Sequence, residues 1–419
     1  MAGKCPEGRK TMTTTRTDID RVLTCFLFDP QRTEELARTL TTEQWQLSLD
    51  CAVSHKILPH VAAFYHLYHD EPLPEKYQSI LHTHEVERRS WFDALRITTP
   101  FSQTADAMLM KGFGHEILYP EKMDRFAKDL DIVVADFSTF CRIATELLHG
   151  DFHLPFMAQF VWRKEQQSWQ GLARFIHRNG NEDGGIELHI GQFAVDEHHV
   201  ITWPMLRQHA VKKCIESLPL CVPDSRMMLV IFFMELATRP ECMLRDLYDG
   251  YCLCMTLTDK NDIDALATTL NDEGLGAQVT KLLSAFFQFN QSPPNELVHL
   301  AEKIRSLSPE GKLGWRNRLR QALDRACQTG NLALRLLSLL DRPWAIRLAM
   351  RFAFPVYGIH LNTYPHPLHL IKHRHYLLLT TPAGTFLLGG VGLFSDEETE
   401  YLQSVINAPF FQLTPDLEP

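Results

Sequence analysis

The segment DLDIVV, residues 129–134, constrains the fold of this chain most, because it sets two carboxylates one residue apart at the head of a strand-like run. The three residues that follow the second acid are β-branched and favour a strand. Alternate residues of a strand face the same side, so Asp129 and Asp131 are predicted to project side by side. Such carboxylates repel each other unless a cation, an arginine or water offsets their charge. The segment therefore predicts either a divalent-cation site or a charged strand edge that faces water.

Two further Asp-aliphatic-Asp triplets, at residues 18–20 and 262–264, serve as a comparison. They are followed by RVLTCF and ALATTL, which have helical character. Their acids are expected in or beside the first turn of a helix, where the positive end of the helix dipole favours a carboxylate. The triplet at 129–131 differs because it leads into a strand.

Residues suited to phosphate or metal binding surround the acidic pair. Lys111 and Gly112 follow the apolar run AMLM, and a residue without Cβ lets backbone amides approach a phosphate closely. Arg125 lies four residues before Asp129. Glu187 lies in the strand-like run GIELHI. If this run forms a strand next to DLDIVV, Glu187 lies close to the acidic pair. Each residue alone is typical of a solvated surface, but their combination in one block favours a site.

These residues resemble a known family. The Lys-Gly pair, Tyr-Pro, an arginine, Asp-x-Asp and a later acid-x-His strand, Glu187 to His189, look like the uncharacterised bacterial nucleotidyltransferase family of the polymerase β-like nucleotidyltransferase superfamily. The resemblance covers about the first half of the chain. It extends upstream to a helical lead-in that contains Trp45, Ala52, His55, Leu58 and Pro59.

The resemblance implies a catalytic site in which carboxylates hold metal ions beside a phosphate-binding turn. The catalytic metal ligands would be Asp129, Asp131 and Glu187, Gly112 would lie at the nucleotide phosphates, and Lys111 and Arg125 are expected to neutralise the triphosphate. Two positions depart from the wider superfamily. Phe113 stands where a serine usually follows the glycine, and Glu187 stands where aspartate is frequent.

The predicted reaction is the transfer of a nucleoside monophosphate from an NTP, such as ATP, to an acceptor hydroxyl, with Mg²⁺ or Mn²⁺ and release of pyrophosphate. The acceptor stays open between a small molecule, a peptide and a protein. An Asp-x-Asp glycosyltransferase that uses a sugar nucleotide is an alternative, although such folds place alternating strands and helices ahead of the motif. A non-catalytic relative that binds a nucleotide or a protein is a third hypothesis, because the Gly-Ser turn is missing.

The hydrophobic pattern divides the chain into five segments. They are a disordered leader (1–16), a helical lead-in (17–97), a nucleotidyltransferase core (98–203), a helical domain (204–352) and a C-terminal hairpin and helix (353–419). The predicted fold class is α+β, a nucleotidyltransferase core with a small mixed β-sheet between N-terminal and C-terminal helical regions. One hairpin is expected from ARFIHR to GIELHI and another at Pro382–Gly384. Capping boxes are predicted at Thr41 with Gln44 and at Ser395 with Glu398.

Composition narrows the partners and the compartment. The net charge is −9 and the basic residues are scattered, which disfavours nucleic-acid binding. No membrane partner is expected, because the most apolar window, 227–237, is too short to span a bilayer and carries Glu235. The ten cysteines form no CxxC pair, which favours reduced thiols in a cytoplasmic protein. The spacing of the C-terminal histidines is not that of a zinc site; they are His360, His366, His369, His373 and His375.

Overall fold

The structure is a computed structural model that describes most of the first three quarters of the chain and one C-terminal group of strands. The described residues are 16–119, 125–127, 129–153, 158–163, 168–178, 185–195, 200–307, 369–373, 376–381 and 384–389. All but the last residue of the predicted leader lie outside these ranges, as do residues 308–352 of the predicted helical domain and the predicted capping box at Ser395.

Five helices precede the first strand. They are α1 (Arg16–Phe28), α2 (Pro30–Thr39), α3 (Thr42–Ser54), α4 (Leu58–Tyr68) and α5 (Glu75–Gln103). The predicted capping box at the start of α3 is confirmed, because the Gln44 amide donates to the Thr41 hydroxyl and the Thr41 amide donates to the Gln44 side chain. Trp45 in the first turn of α3 is 1% exposed and packs on Phe26 of α1. The lead-in is therefore helical and shares the hydrophobic core of the protein.

A mixed sheet forms the centre of the molecule. The strands are β1 (Ala107–Gly112), β2 (Asp129–Val134), β3 (Phe152–His153), β4 (Ala158–Arg163), β5 (Ser168–His177), β6 (Gly185–Ile190), β7 (Gln192–Ala194), β8 (Val200–Thr202), β9 (Ala210–Ile215), β10 (Leu218–Pro223), β11 (His369–His373), β12 (Tyr376–Thr381) and β13 (Gly384–Gly389). The order along the main sheet is β1-β2-β6-β5-β4-β13-β12-β11, with β3 paired to β5. Among the described strands, β2 and β6 pair in parallel and all other neighbours are antiparallel.

The predicted fold class, α+β with a mixed sheet between helical regions, is confirmed. The expected antiparallel pairing of the two strands joined by the turn at 179–184 is present as β5 and β6. The expected C-terminal hairpin is present as β12 and β13, and it extends the sheet by pairing with β4. A further hairpin, β9 and β10, lies in the segment predicted to be helical, and its turn places Glu216 and Ser217 at positive φ without the Asn-Gly or Asp-Gly pair that marks such a turn in a sequence.

Helices cover one part of the sheet and build the C-terminal side of the described fold. They are α6 (Phe137–His149), α7 (Trp203–Gln208), α8 (Ser225–Thr238), α9 (Leu244–Cys254), α10 (Lys260–Asp272), α11 (Gly276–Gln288) and α12 (Asn295–Leu307). Every residue of α8 from Met227 to Leu236 is buried, including Glu235. Helix α8 packs against β1, and α9 packs against the 3₁₀ helix Phe113–Leu118 that follows β1. These two contacts bring helical residues to the carboxylates of the sheet.

The described residues also bear on membrane-spanning helices and on the state of the cysteines. No described helix has the length and apolar content that a bilayer crossing needs. The cysteines whose side chains the structure describes are free thiols; they are Cys25, Cys51, Cys214, Cys221, Cys242, Cys252 and Cys254. The C-terminal histidine side chains lie outside the described parts of the chain.

Candidate active site

The site is built on the parallel pair β2 and β6. Their register sets Asp131 opposite Glu187 and Val133 opposite His189. Residues two apart on a strand share a face, so His189 lies on the same side as Glu187 and Asp131. The ligand atoms of these three side chains all lie within 4.8 Å of one another. The sequence predicted that a neighbouring strand would bring Glu187 to the Asp pair, and the register of β2 and β6 sets Glu187 opposite Asp131.

Asp131 is a fully buried carboxylate without a hydrogen-bond partner. Its side chain is 0% exposed, and both carboxylate oxygens lack a donor among the described residues. A buried ionised group that lacks a partner costs several kcal/mol, since desolvation is not offset by hydrogen bonds. The arrangement is therefore suited to a cation that approaches Asp131.

The pKa values of Asp129 and Glu187, the acids beside Asp131, are both raised. Burial, followed by the negative charge of Asp131, raises the pKa of Asp129 above its ordinary value. Burial and the charge of Asp131 likewise raise the pKa of Glu187. Asp129 shares a strand face with Asp131 but is not one of the three residues whose ligand atoms lie within 4.8 Å of one another. Burial and the Asp131 charge therefore make the ionised forms of Asp129 and Glu187 less favourable than they would be in water.

Lys111 at the end of β1 is the cation that approaches these acids in the described residues. Its Nζ lies 2.8 Å from Glu235 Oε1 and 3.7 Å from Asp131 Oδ1. Burial alone would lower the pKa of Lys111, but the charges of Asp131 and Glu235 outweigh it and raise the pKa. Burial would raise the pKa of Glu235, but the Lys111 ammonium lowers it to about 2. Both groups of this pair are therefore charged at neutral pH.

Gly112 adopts a backbone conformation that suits a residue without a side chain. Its φ is +67°, in the left-handed region, at an irregularity in the register between β1 and β2. A Cβ here would lie 3.2 Å from the backbone oxygen of Asp129 and 3.7 Å from Asp131 Oδ2. The glycine thus lets the β1 backbone pass close to the carboxylates.

Gly112→Ala is expected to lower the free energy of unfolding by roughly 1–2 kcal/mol, the cost of the left-handed conformation for a residue with a Cβ. Urea denaturation monitored by circular dichroism measures the change. Gly114→Ala is the matched control, because a Cβ at Gly114 comes no closer than 3.7 Å to the nearest atoms and no positive φ is present there. Equal stability changes in the two variants would contradict the role of backbone conformation at Gly112.

Arg125 makes a buried bidentate pair. Its Nε and Nη2 donate to Asp249 of α9 at 3.0 Å and 2.8 Å, and its side chain is 3% exposed. The Tyr119 hydroxyl donates to the same carboxylate at 2.6 Å. The charge of Arg125 holds the pKa of Asp249 well below its usual range although burial opposes this. The expected phosphate contact of Arg125 stays a prediction, and the structure gives its guanidinium a protein partner in Asp249.

Two acids of the helical region were not predicted as part of the site. Glu235 is a lone acid in the apolar run MMLVIFFMEL, and a buried charge of this kind needs a partner. That pattern was a signal for a buried ion pair but did not identify Lys111. Asp249 lies in a segment of mixed polarity, YDGYC, that carries no such signal.

Comparison with known proteins identifies a family to which this sequence is similar. Residues 41–288 match the sequence profile of a protein family described as "Uncharacterised nucleotidyltransferase". No curated protein matches significantly. Solved structures that resemble this chain include two with the following extents of similarity. JHP933 from Helicobacter pylori has 14% sequence identity and a TM-score of 0.27, covering 61% of this chain and 100% of its own. An antigenic nucleotidyltransferase-like protein from Paracoccidioides brasiliensis has 14% identity and a TM-score of 0.29, covering 49% of this chain and 96% of its own.

Proposed function

The chain belongs to this family of uncharacterised nucleotidyltransferases, and from that premise we propose that it transfers a nucleoside monophosphate from an NTP to an acceptor hydroxyl, with release of pyrophosphate. The observation that carries the proposal is the buried carboxylate of Asp131, which accepts no hydrogen bond from any described residue and lies beside Glu187. A structural carboxylate at this depth would have acquired a donor, since buried polar groups in folded proteins are almost always paired.

The residues present fit a divalent cation. Asp131 and Glu187 offer hard oxygen ligands, and Asp129 offers another on the same strand face. We assign these three residues as the ligands of Mg²⁺ or Mn²⁺. When bound, the ion lowers the pKa of the acceptor hydroxyl and offsets charge on the α-phosphate.

The remaining residues of the proposed site act on the triphosphate. The Lys111 side chain is 19% exposed and its ammonium lies beside Asp131, and we assign it to a phosphate oxygen of the nucleotide. Glu235 and Asp131 hold that ammonium in place and keep it protonated, so the nucleotide meets a cation that is already oriented. We assign Gly112, whose positive φ turns the backbone at the end of β1, to the nucleotide phosphates. Arg125 is proposed to offset charge on the triphosphate, although its guanidinium is paired with Asp249 in this structure.

The acceptor and the choice of NTP are open to direct measurement. The protein is incubated with each labelled NTP and Mg²⁺ or Mn²⁺, alone and with a cell extract, and labelled products are sought. A labelled product with released pyrophosphate supports the proposal. Transfer from a sugar nucleotide, with none from any NTP, would replace it by the glycosyltransferase alternative. Nucleotide binding without turnover under all conditions would favour the non-catalytic relative.

The order of elements disfavours the glycosyltransferase alternative. Described residues 16–106 form five successive helices before β1, instead of the alternating strands and helices that build a sugar-nucleotide site ahead of an Asp-x-Asp motif. No observation in the described residues favours a sugar donor over an NTP.

Lys111→Ala is expected to weaken ATP binding in Mg²⁺ buffer by roughly 1.5–3 kcal/mol, the range for a hydrogen bond to a charged group. Isothermal titration calorimetry measures the dissociation constant, and the melting temperature verifies that the variant folds. Lys213→Ala is the control, because Lys213 is an exposed lysine on β9 outside the site. If Lys111→Ala binds ATP as tightly as the wild type, Lys111 belongs to the scaffold and does not bind phosphate.

A further inference from the structure

His189 lies among the site carboxylates. The assignment of Asp129, Asp131 and Glu187 as metal ligands leaves His189 without a role. Its side chain is 6% exposed, and Nε2 has no hydrogen-bond partner among the described residues. Nε2 lies 3.6 Å from Asp131 Oδ1 and 3.8 Å from Glu187 Oε2. Both separations exceed the length of a hydrogen bond, so the ring is not joined directly to either acid.

The orientation of the ring is held from one side. Phe193 of β7 packs edge-to-face on the imidazole, with ring centroids 5.2 Å apart. The Lys111 ammonium lies over the same Phe193 ring at 5.6 Å from its centroid. One aromatic side chain thus supports both the imidazole and the ammonium. The supported imidazole presents an unpaired nitrogen to two carboxylates.

A buried ring nitrogen without a hydrogen-bond partner does not by itself mark a ligand, because both nitrogens of the buried His115 lack one among the described residues. His189 differs from His115 in that its Nε2 faces two carboxylate oxygens, at 3.6 Å and 3.8 Å. This is the arrangement in which one central ion could be bound by all three groups. Ligand atoms grouped within 4.8 Å are close enough to meet a single ion after small side-chain shifts.

We propose that His189 Nε2 ligates the metal together with Asp131 and Glu187, so that this position takes a first-row transition ion in preference to Mg²⁺. The inference rests on the proposed function for the presence of a metal, and it adds a nitrogen ligand and a selectivity. Mg²⁺ favours oxygen ligands and retains its waters, whereas imidazole suits transition ions. Mn²⁺ is the weakest binder of that series, so it is a stringent probe.

The test uses the full-length protein, freed of metal with chelator and loaded with Mn²⁺ alone. Electron spin echo envelope modulation of bound Mn²⁺ is expected to show the ¹⁴N signal of a coordinated imidazole, replaced by the ¹⁵N signal when the protein carries ¹⁵N-histidine. His189→Gln is expected to remove the signal and to reduce the preference for Mn²⁺ over Mg²⁺, measured by competition, by roughly tenfold or more. His149→Gln is the matched control, because His149 is exposed at the end of α6.

The outcomes separate this inference from the reaction. Bound Mn²⁺ without a nitrogen signal, or a signal that persists in His189→Gln, overturns the inference and leaves the nucleotidyltransferase proposal intact. A nitrogen signal with no transfer from any NTP supports the inference and rejects the reaction. If His189→Gln does not fold, the isotope exchange in the wild-type protein still decides whether a histidine binds the ion. Absence of Mn²⁺ binding overturns both.

Discussion

Asp131→Asn is expected to abolish nucleoside-monophosphate transfer while leaving the melting temperature of the metal-free protein unchanged or higher. Asp131 is the acid that faces Glu187 across the two strands and approaches Lys111, and in the part of the chain that the structure describes it has no hydrogen-bond donor. Loss of its charge removes a metal ligand, and even outer partners of metal ligands cost roughly 10- to 100-fold when mutated, so a larger loss is expected here. The same change relieves the repulsion among Asp129, Asp131 and Glu187 in the metal-free protein.

Activity with labelled NTP and a thermal melt in chelator together measure this prediction. Asp264→Asn is the matched control, since Asp264 belongs to a similar triplet on α10, is 42% exposed and pairs with Lys303. The control should alter neither quantity. A large fall in the melting temperature of Asp131→Asn would instead identify Asp131 as a structural residue, and full activity would remove it from the catalytic site.

Arg125→Met is expected to lower the free energy of unfolding by roughly 3–5 kcal/mol, because it leaves the buried Asp249 carboxylate without its main partner. Arg125 and Asp249 are both nearly inaccessible to solvent, and two donors of the guanidinium bind the carboxylate. Denaturant unfolding measures the loss. Arg89→Met is the control, since Arg89 and Glu85 form an exposed ion pair whose loss costs about 1 kcal/mol or less.

The double variant Arg125→Met with Asp249→Leu distinguishes the pair from the packing around it. It should recover part of the loss, because an apolar pair avoids a buried unpaired charge. A single variant that keeps its stability but loses ATP affinity would contradict the structural role and support a direct contact between Arg125 and phosphate.

Low pH is expected to reduce the difference in unfolding free energy between the wild type and Asp249→Asn. The pKa of Asp249 is depressed in the folded protein, chiefly because the Arg125 charge outweighs burial. An acid whose pKa is lowered in the folded protein stabilises the fold fully at pH values above its ordinary pKa of 3.8. This contribution is lost as the pH falls towards the lower pKa of the folded state. The stability difference between the wild type and Asp249→Asn is therefore expected to be constant at neutral pH and to shrink below about pH 4. A difference that grows in acid would contradict the assignment.

Local pattern was enough to predict several elements. The two-residue period of a strand placed Asp129 and Asp131 on one face, and the β-branched residues after them distinguished this triplet from the two helical ones. Thr41 and Gln44 predicted the start of α3 because a capping box is completed within four residues. The β9–β10 hairpin was missed because Glu216 and Ser217 turn the chain without the residues that usually mark such a turn.

The sequence by itself determined which strand carries the acids and which family the pattern resembles, since both depend on residues that are close along the chain. Tertiary structure alone decided the partners of the two site cations. Arg125 meets Asp249, 124 residues away, and Lys111 meets Glu235 because α8 packs on β1. The physical reason is that many acids in a sequence are equivalent partners for a lysine or arginine. Burial makes one of them strong by removing the water that would otherwise compete for the charge.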